Sequence, residues 1–146
     1  MRILSIDLGD KRVGLAISDP LGFSAQGLDT FERAKSSKDD FDHLKKICVE
    51  RKVTKCVVGL PLRLTGEAGP KAKQVLEWVD KLKTVLPCPV ETWDERFTSK
   101  EAERLVITQG LTREKRKEKS DQLAAILILQ SYLENRRNTS QSESGE

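Results

Sequence analysis

The chain opens on an apolar run that is broken once. Ile3-Leu4-Ser5-Ile6-Asp7-Leu8 has the length and apolar character of a strand. Gly9-Asp10-Lys11-Arg12 reads as a turn, and Val13 to Ser18 as a second strand running back. Side chains alternate across a sheet, so Val13, Leu15 and Ile17 point one way and Gly14, Ala16 and Ser18 the other. In the first strand Leu4, Ile6 and Leu8 share a face, and Ser5 shares the opposite one with Asp7. The pattern predicts a sheet with one large-residue face and one small-residue face, the latter open to close approach by a helix or a ligand. After the turn Asp19-Pro20-Leu21-Gly22, a third strand around Ala25 to Phe31 completes an antiparallel meander.

The period then changes. Ser36 or Ser37 caps a helix reaching about Arg51, with Phe41, Leu44, Ile47 and Cys48 as its apolar stripe. Lys55 to Leu60 is a short apolar strand, and Leu62 to Gly69 a loop. Pro70 opens a helix to about Leu86, striped by Ala72, Val75, Leu76, Val79 and Leu82. Pro87-Cys88-Pro89 stops it, and Val90 to Trp93 is the next strand. Thr98-Ser99-Lys100-Glu101 is a capping box for a helix ending near Gly110. Leu111 to Lys119 is polar and basic and reads as a flexible loop; a last helix follows from Ser120 to about Arg136. The order predicts one α/β domain over residues 1–137: a mixed five-stranded sheet, meander plus parallel strands, with helices on both faces. Residues 138–146 carry few apolar side chains and read as a disordered tail.

Composition narrows the chemistry. At 146 residues the chain can bury a real core. The net charge is only +3 although 34% of residues are charged, so overall charge argues weakly for a nucleic-acid partner. There is no run of ~18 apolar residues, and the N-terminus lacks a signal-peptide layout, which together predict a cytoplasmic protein with no membrane partner. Cys48, Cys56 and Cys88 are odd in number and lack metal-type spacing. They read as free thiols in a reducing compartment, against a disulfide framework or a zinc site. The single histidine, His43, lies in a polar helix, which disfavours triad chemistry.

Carboxylates remain. A lone buried carboxylate is costly unless hydrogen bonds, a cation or a metal compensates it, so Asp7 needs partners. If the first and last strands are parallel, Asp7, Asp94 and Glu95 fall on one carboxyl edge of the sheet, where α/β folds bind ligands. Asp121 shares a helical face with Ala124, Ala125, Ile128 and Tyr132, so it points toward the sheet. Each acid also has an ordinary explanation. Asp7 could close an Asx-type turn, Asp94 and Glu95 could pair with Arg96, and Asp121 could gain ~0.3–1 kcal/mol from the dipole of a helix whose first turn it occupies. Taken together they suit Mg²⁺- or Mn²⁺-assisted phosphoryl transfer, which needs neither histidine nor thiol. Arg12, Arg96 and the cluster Arg113, Lys115, Arg116, Lys117 and Lys119 could hold phosphates, although a charge run is often only solvated.

These blocks, in this order, resemble the YqgF/RuvX family of RNase H-like nucleases, associated with pre-16S rRNA and earlier with Holliday junctions. The resemblance rests on Asp7-Leu8-Gly9 with Arg12, Gly14 and Ala16; on Ser18-Asp19-Pro20-Leu21-Gly22; on Val58-Gly59-Leu60-Pro61; on Asp94-Glu95-Arg96-Phe97-Thr98; and on Asp121 with Ala124-Ala125 and Ile128-Leu129. It implies an RNase H-like fold with catalytic, metal-holding acids at Asp7, Glu95 and Asp121, and Asp94 as an alternative second acid. In the loop Leu62 to Gly69 the chain departs from the family pattern, with Arg63 and Thr65 ahead of Gly66. The implied partner is structured RNA, namely pre-16S rRNA in a pre-ribosomal particle, or branched DNA. Two other classes compete: a nucleotide-phosphate enzyme, which would need a second lobe, and a non-catalytic nucleic-acid-binding factor in transcription or ribosome assembly. Monomer and homodimer are both open.

Overall fold

The computed structural model describes residues 2–97 and 113–144. Five strands form one sheet in the order β3-β2-β1-β4-β5: β1 Arg2–Leu8, β2 Arg12–Ser18, β3 Ala25–Glu32, β4 Val53–Leu60 and β5 Val90–Asp94. The first three make the antiparallel meander, while β4 runs parallel to both β1 and β5. The carboxyl ends of β1, β4 and β5 therefore share one edge. A 3₁₀ turn, Glu95–Phe97, follows β5 directly.

Among the described residues three helices pack on this sheet: α1 Ser37–Glu50, α2 Pro70–Lys83 and α3 Arg113–Ser144. The Ser36 hydroxyl caps α1 by accepting from the Lys38 amide at 3.2 Å. Pro70 sits in the first turn of α2, where its missing N–H costs nothing. The stripe of α2 differs from the expected one at one step. Leu76 is exposed and Trp78 is buried in its place, against Phe41 of α1 with ring centroids 5.4 Å apart. A large aromatic covers more of the sheet than a leucine at a neighbouring position.

The two faces of the sheet are unequal, as the alternation predicts. Leu4, Ile6, Leu8, Val13, Leu15, Ile17, Cys56, Val58 and Leu60 form the thick face under α1 and α2. Among the described residues, the thin face takes α3, through Ile3, Ala16 and Val57 against Ala125, Ile128, Leu129, Tyr132 and Leu133.

Two expectations about the C-terminal third are corrected. Arg113 to Lys119, read as a flexible loop, is the start of α3, which runs to Ser144. Between Gly110 and Gly145 the sequence has no glycine and no proline, and Glu, Lys, Arg, Gln, Leu and Ala dominate up to Arg137, so nothing interrupts the helix. Asp121 is consequently interior to α3, and the explanation by a first-turn dipole falls. The capping box at Thr98 and the helix it opens lie outside the described residues.

Helix α3 lies so close to β2 that a Cβ on Gly14 would collide with the backbone carbonyl of Asp121. Backbone cannot swing aside as a side chain can. Gly14→Ala is expected to cost at least ~1–3 kcal/mol, seen as a lower urea midpoint at an unchanged slope. A variant with the wild-type midpoint would show that this approach is not tight.

Candidate active site at the carboxyl edge of the sheet

Asp7 is the penultimate residue of β1, on the thin face, and stands opposite Gly14 of β2. Glu95 is the first residue after β5. Strand β4 lies between those two strands, so Glu95 must reach across β4 to meet Asp7. Gly59 makes that possible: a Cβ there would stand 2.6 Å from Glu95 Oε1 and 2.5 Å from Ile128 Cδ1. Asp121 arrives from above on α3, in the space that Gly14 leaves open.

The three acids converge. Glu95 is hydrogen-bonded to Asp7, and Asp121 acts on Asp7 through its charge. Burial, then the negative charge of Glu95, the hydrogen bond with it and the charge of Asp121 push the Asp7 pKa up to about 8; Lys71 opposes the shift weakly. A shift of this kind marks a buried carboxyl that the fold holds beside other acids.

Asp94 is placed differently. Its carboxylate receives the Arg96 guanidinium through Nε at 2.9 and 3.1 Å and Nη2 at 2.6 Å, and the Arg96 amide at 2.9 Å. This pairing holds the Asp94 pKa below its usual range. Arg96 also donates from Nη1 to the Leu64 carbonyl at 3.2 Å, which ties the 62–69 loop to the end of β5. The neighbouring acids thus divide: Asp94 binds an arginine and Glu95 faces Asp7.

Arg12 lies beside the acids, in a cleft of about 290 Å³ lined by Gly9, Asp10, Lys11, Arg12, Ser120 and Asp121. Lys119 is exposed and directly precedes Ser120, which lines this cleft. Arg113, Lys115, Arg116 and Lys117 are on the first turns of α3. Two cations escape sequence reasoning. Lys71 of α2 reaches Asp10 at 3.4 Å, and Arg33 donates to the Gly9 carbonyl at 3.0 Å. Neither follows from local spacing, because tertiary packing brings them to the β1–β2 turn. Gly59 also has a site role that only the strand order reveals.

The donor set suits a hard divalent ion. Asp7, Glu95 and Asp121 offer only carboxylate oxygens, and a dication would offset both the burial and the neighbouring negative charge that raise the Asp7 pKa. A five-stranded sheet of this order, with one helix laid on its small-residue face, is the RNase H-like fold. A family model described as "RuvX: Holliday junction resolvase" matches residues 1–135, and the chain belongs to that family. Among its relatives is a "Putative pre-16S rRNA nuclease" of Syntrophomonas wolfei subsp. wolfei, 47% identical over 134 residues, covering 92% of this chain and 94% of the relative. A protein of the same description from Clostridium novyi is 46% identical and covers 92% and 98%. Among solved structures, "T. thermophilus RuvC in complex with Holliday junction substrate" superposes with a TM-score of 0.59 at 16% identity, over 95% of this chain and 98% of that one. Fowlpox virus resolvase gives 0.52 at 12% identity, over 92% and 98%. These two likenesses show the shared fold. No helix among the described residues is long and apolar enough to cross a membrane.

The apoprotein should carry the cost of the Asp7 environment in its pH dependence. The folded-state carboxyl is the weaker acid, so the unfolded chain gives up its proton first as pH rises. Stability is then full below about pH 4 and lost progressively toward about pH 8. With chelator present, Asp7→Asn is expected to flatten this slope and to be more stable than wild type at pH 8, by on the order of a few kcal/mol. Urea melts across that pH range measure it; a variant less stable than wild type would make Asp7 a structural acid.

Proposed function

We propose that this chain is a cytoplasmic, divalent-metal-dependent nuclease that processes the 5′ end of precursor 16S rRNA in ribosome biogenesis, with Asp7, Glu95 and Asp121 as its catalytic acids. The observation that carries this reading is the convergence of three acids from β1, the end of β5 and α3, against their mutual repulsion. A fold tolerates such repulsion where a cation relieves it. The names of the relatives supply the substrate.

Asp7, Glu95 and Asp121 would hold Mg²⁺ or Mn²⁺, and the ion would activate a water and stabilise the leaving oxygen of the phosphodiester. The rest is work for this chain's own groups. Arg12 at the cleft and Lys119 at its margin bind backbone phosphates, together with Arg113, Lys115, Arg116 and Lys117. Arg96, held by Asp94, keeps the loop after β4 in place and leaves Glu95 directed at Asp7. Gly14 leaves room for the α3 backbone at Asp121, and Gly59 for the Glu95 side chain.

The family's description favours a second reading, cleavage of branched DNA. The same acids serve either substrate, because the bond is the same. A cleavage assay with Mg²⁺ or Mn²⁺ separates them, using a model of the precursor 16S 5′ region beside a synthetic four-way DNA junction. Wild type is expected to cut the RNA, and Asp7→Asn, Glu95→Gln and Asp121→Asn to be inactive while still folded. Asp94→Asn should lose only ~10–100-fold, since it positions Arg96. Preferential cutting of the junction would establish the DNA reading, and binding without cutting would make the protein a non-catalytic factor.

Phosphate binding also predicts a salt dependence. Neutralising Arg113, Lys115, Arg116 and Lys117 together should weaken binding to any sequence. The slope of log affinity against log salt should flatten by about one unit for each phosphate that no longer meets a cation. An unchanged slope would assign those residues to a solvated face.

A further inference from the structure

All three cysteines of the chain meet at one place. Cys48 is in the last turn of α1, Cys56 is within β4, and Cys88 is in the link between α2 and β5. The Cys56 Sγ is 3.7 Å from the Sγ of Cys48 and 3.7 Å from that of Cys88, and all three sulfurs lie within 4.8 Å of one another. Among the described residues, no other group of three metal-ligating side chains gathers this tightly.

The cluster is remote from the acids. Cys56 belongs to the thick face, and it pairs with Val90 at the start of β5, whereas Glu95 follows the end of that strand and faces Asp7 on the thin face. Cys48 and Cys56 are buried in apolar surroundings, and Cys88 is half-buried at the margin. The inner two sulfurs are thus fixed by the core, and the outer one leaves a path from solvent.

The spacing has a metric meaning. Metal–sulfur bonds of ~2.3 Å in tetrahedral geometry put neighbouring sulfurs ~3.8 Å apart. Two edges already match within about 0.1 Å of that figure. The third closes by rotating Cys88, the least enclosed of the three. Thiolates select soft ions and discriminate against Mg²⁺ and Mn²⁺, so the two centres would not compete for one metal.

We propose that Cys48, Cys56 and Cys88 form a three-thiolate site for one thiophilic metal ion, Zn²⁺ or Cu⁺, separate from the carboxylate centre. Binding replaces three S–H bonds with three sulfur–metal bonds and releases three protons to solvent past Cys88. No electron is transferred. With Cu⁺ three thiolates suffice; with Zn²⁺ a water on the Cys88 side completes the tetrahedron. The ion would staple the end of α1 and the start of β5 to β4.

The test uses the full-length protein, reduced and stripped of metal. Co²⁺, as a reporter for Zn²⁺, is expected to give thiolate-to-cobalt charge-transfer absorption at one ion per chain. Zn²⁺ should bleach that absorption, and Cu⁺ should be tested in parallel with a competing chelator. Cys88→Ser, half-exposed and therefore safe for folding, should lose the charge-transfer band, whereas Asp7→Asn should keep it. No thiolate band and no Cu⁺ uptake in a protein whose three thiols titrate fully would overturn the proposal. So would a band that survives Cys88→Ser, or spontaneous loss of two thiols to a disulfide in preference to metal uptake.

Discussion

The close approach of one helix to one sheet is the constraint on which the rest of the structure depends. Helix α3 lies almost on the backbone of β1 and β2, because Ser5, Gly14 and Ala16 present nothing larger than a hydroxyl there. The approach is tight enough for the Ser5 hydroxyl to donate to the Ala125 carbonyl at 2.6 Å, and for the Gln122 amide to donate to the Leu28 carbonyl at 2.8 Å. Residues 120 positions apart are thus joined inside the core. With the helix axis fixed this way, the position of Asp121 relative to Asp7 follows from backbone contacts and needs no long, adjustable side chain.

The unequal faces divide two tasks that conflict. Large apolar side chains under α1 and α2 give the domain its stability. The thin face accepts electrostatic strain that a small core could not absorb alone. Asp7 faces two other acids, with only Lys71 acting against the shift. A few residues away, Asp94 is satisfied by a forked guanidinium. Two adjacent carboxylates in one turn therefore sit in opposite states, one stabilised as an anion by its neighbour and one directed at another acid.

Much of this is legible in the sequence, for identifiable reasons. Period-two alternation in the first two strands locates both faces, because each strand is buried on both sides and every position is under constraint. Asp7 and Asp121 stand out as charges on apolar faces, whereas Glu95 is told from Asp94 only by the family resemblance. The path of Arg113 to Lys119 escapes the pattern because a charge run without apolar period looks like a loop, although helix propensity without a breaker carries it. Leu76 and Trp78 exchange places because periodicity alone does not say which of two nearby apolar residues faces the sheet. Meetings across the fold leave no local trace. Lys71 beside the acids, Glu95 passing over Gly59 and the three cysteines all depend on strand order, which spacing along the chain does not encode.

The order of the acids along the chain has a consequence for the protein during its synthesis. Asp7 is made before Glu95, and Asp121 follows both on α3 and reaches its place only when that helix docks on the meander. A nascent chain that has already folded its sheet still lacks the third acid, and so does any product that ends before α3. The group of acids is thereby completed last, by a helix that packs on strands made more than a hundred residues earlier.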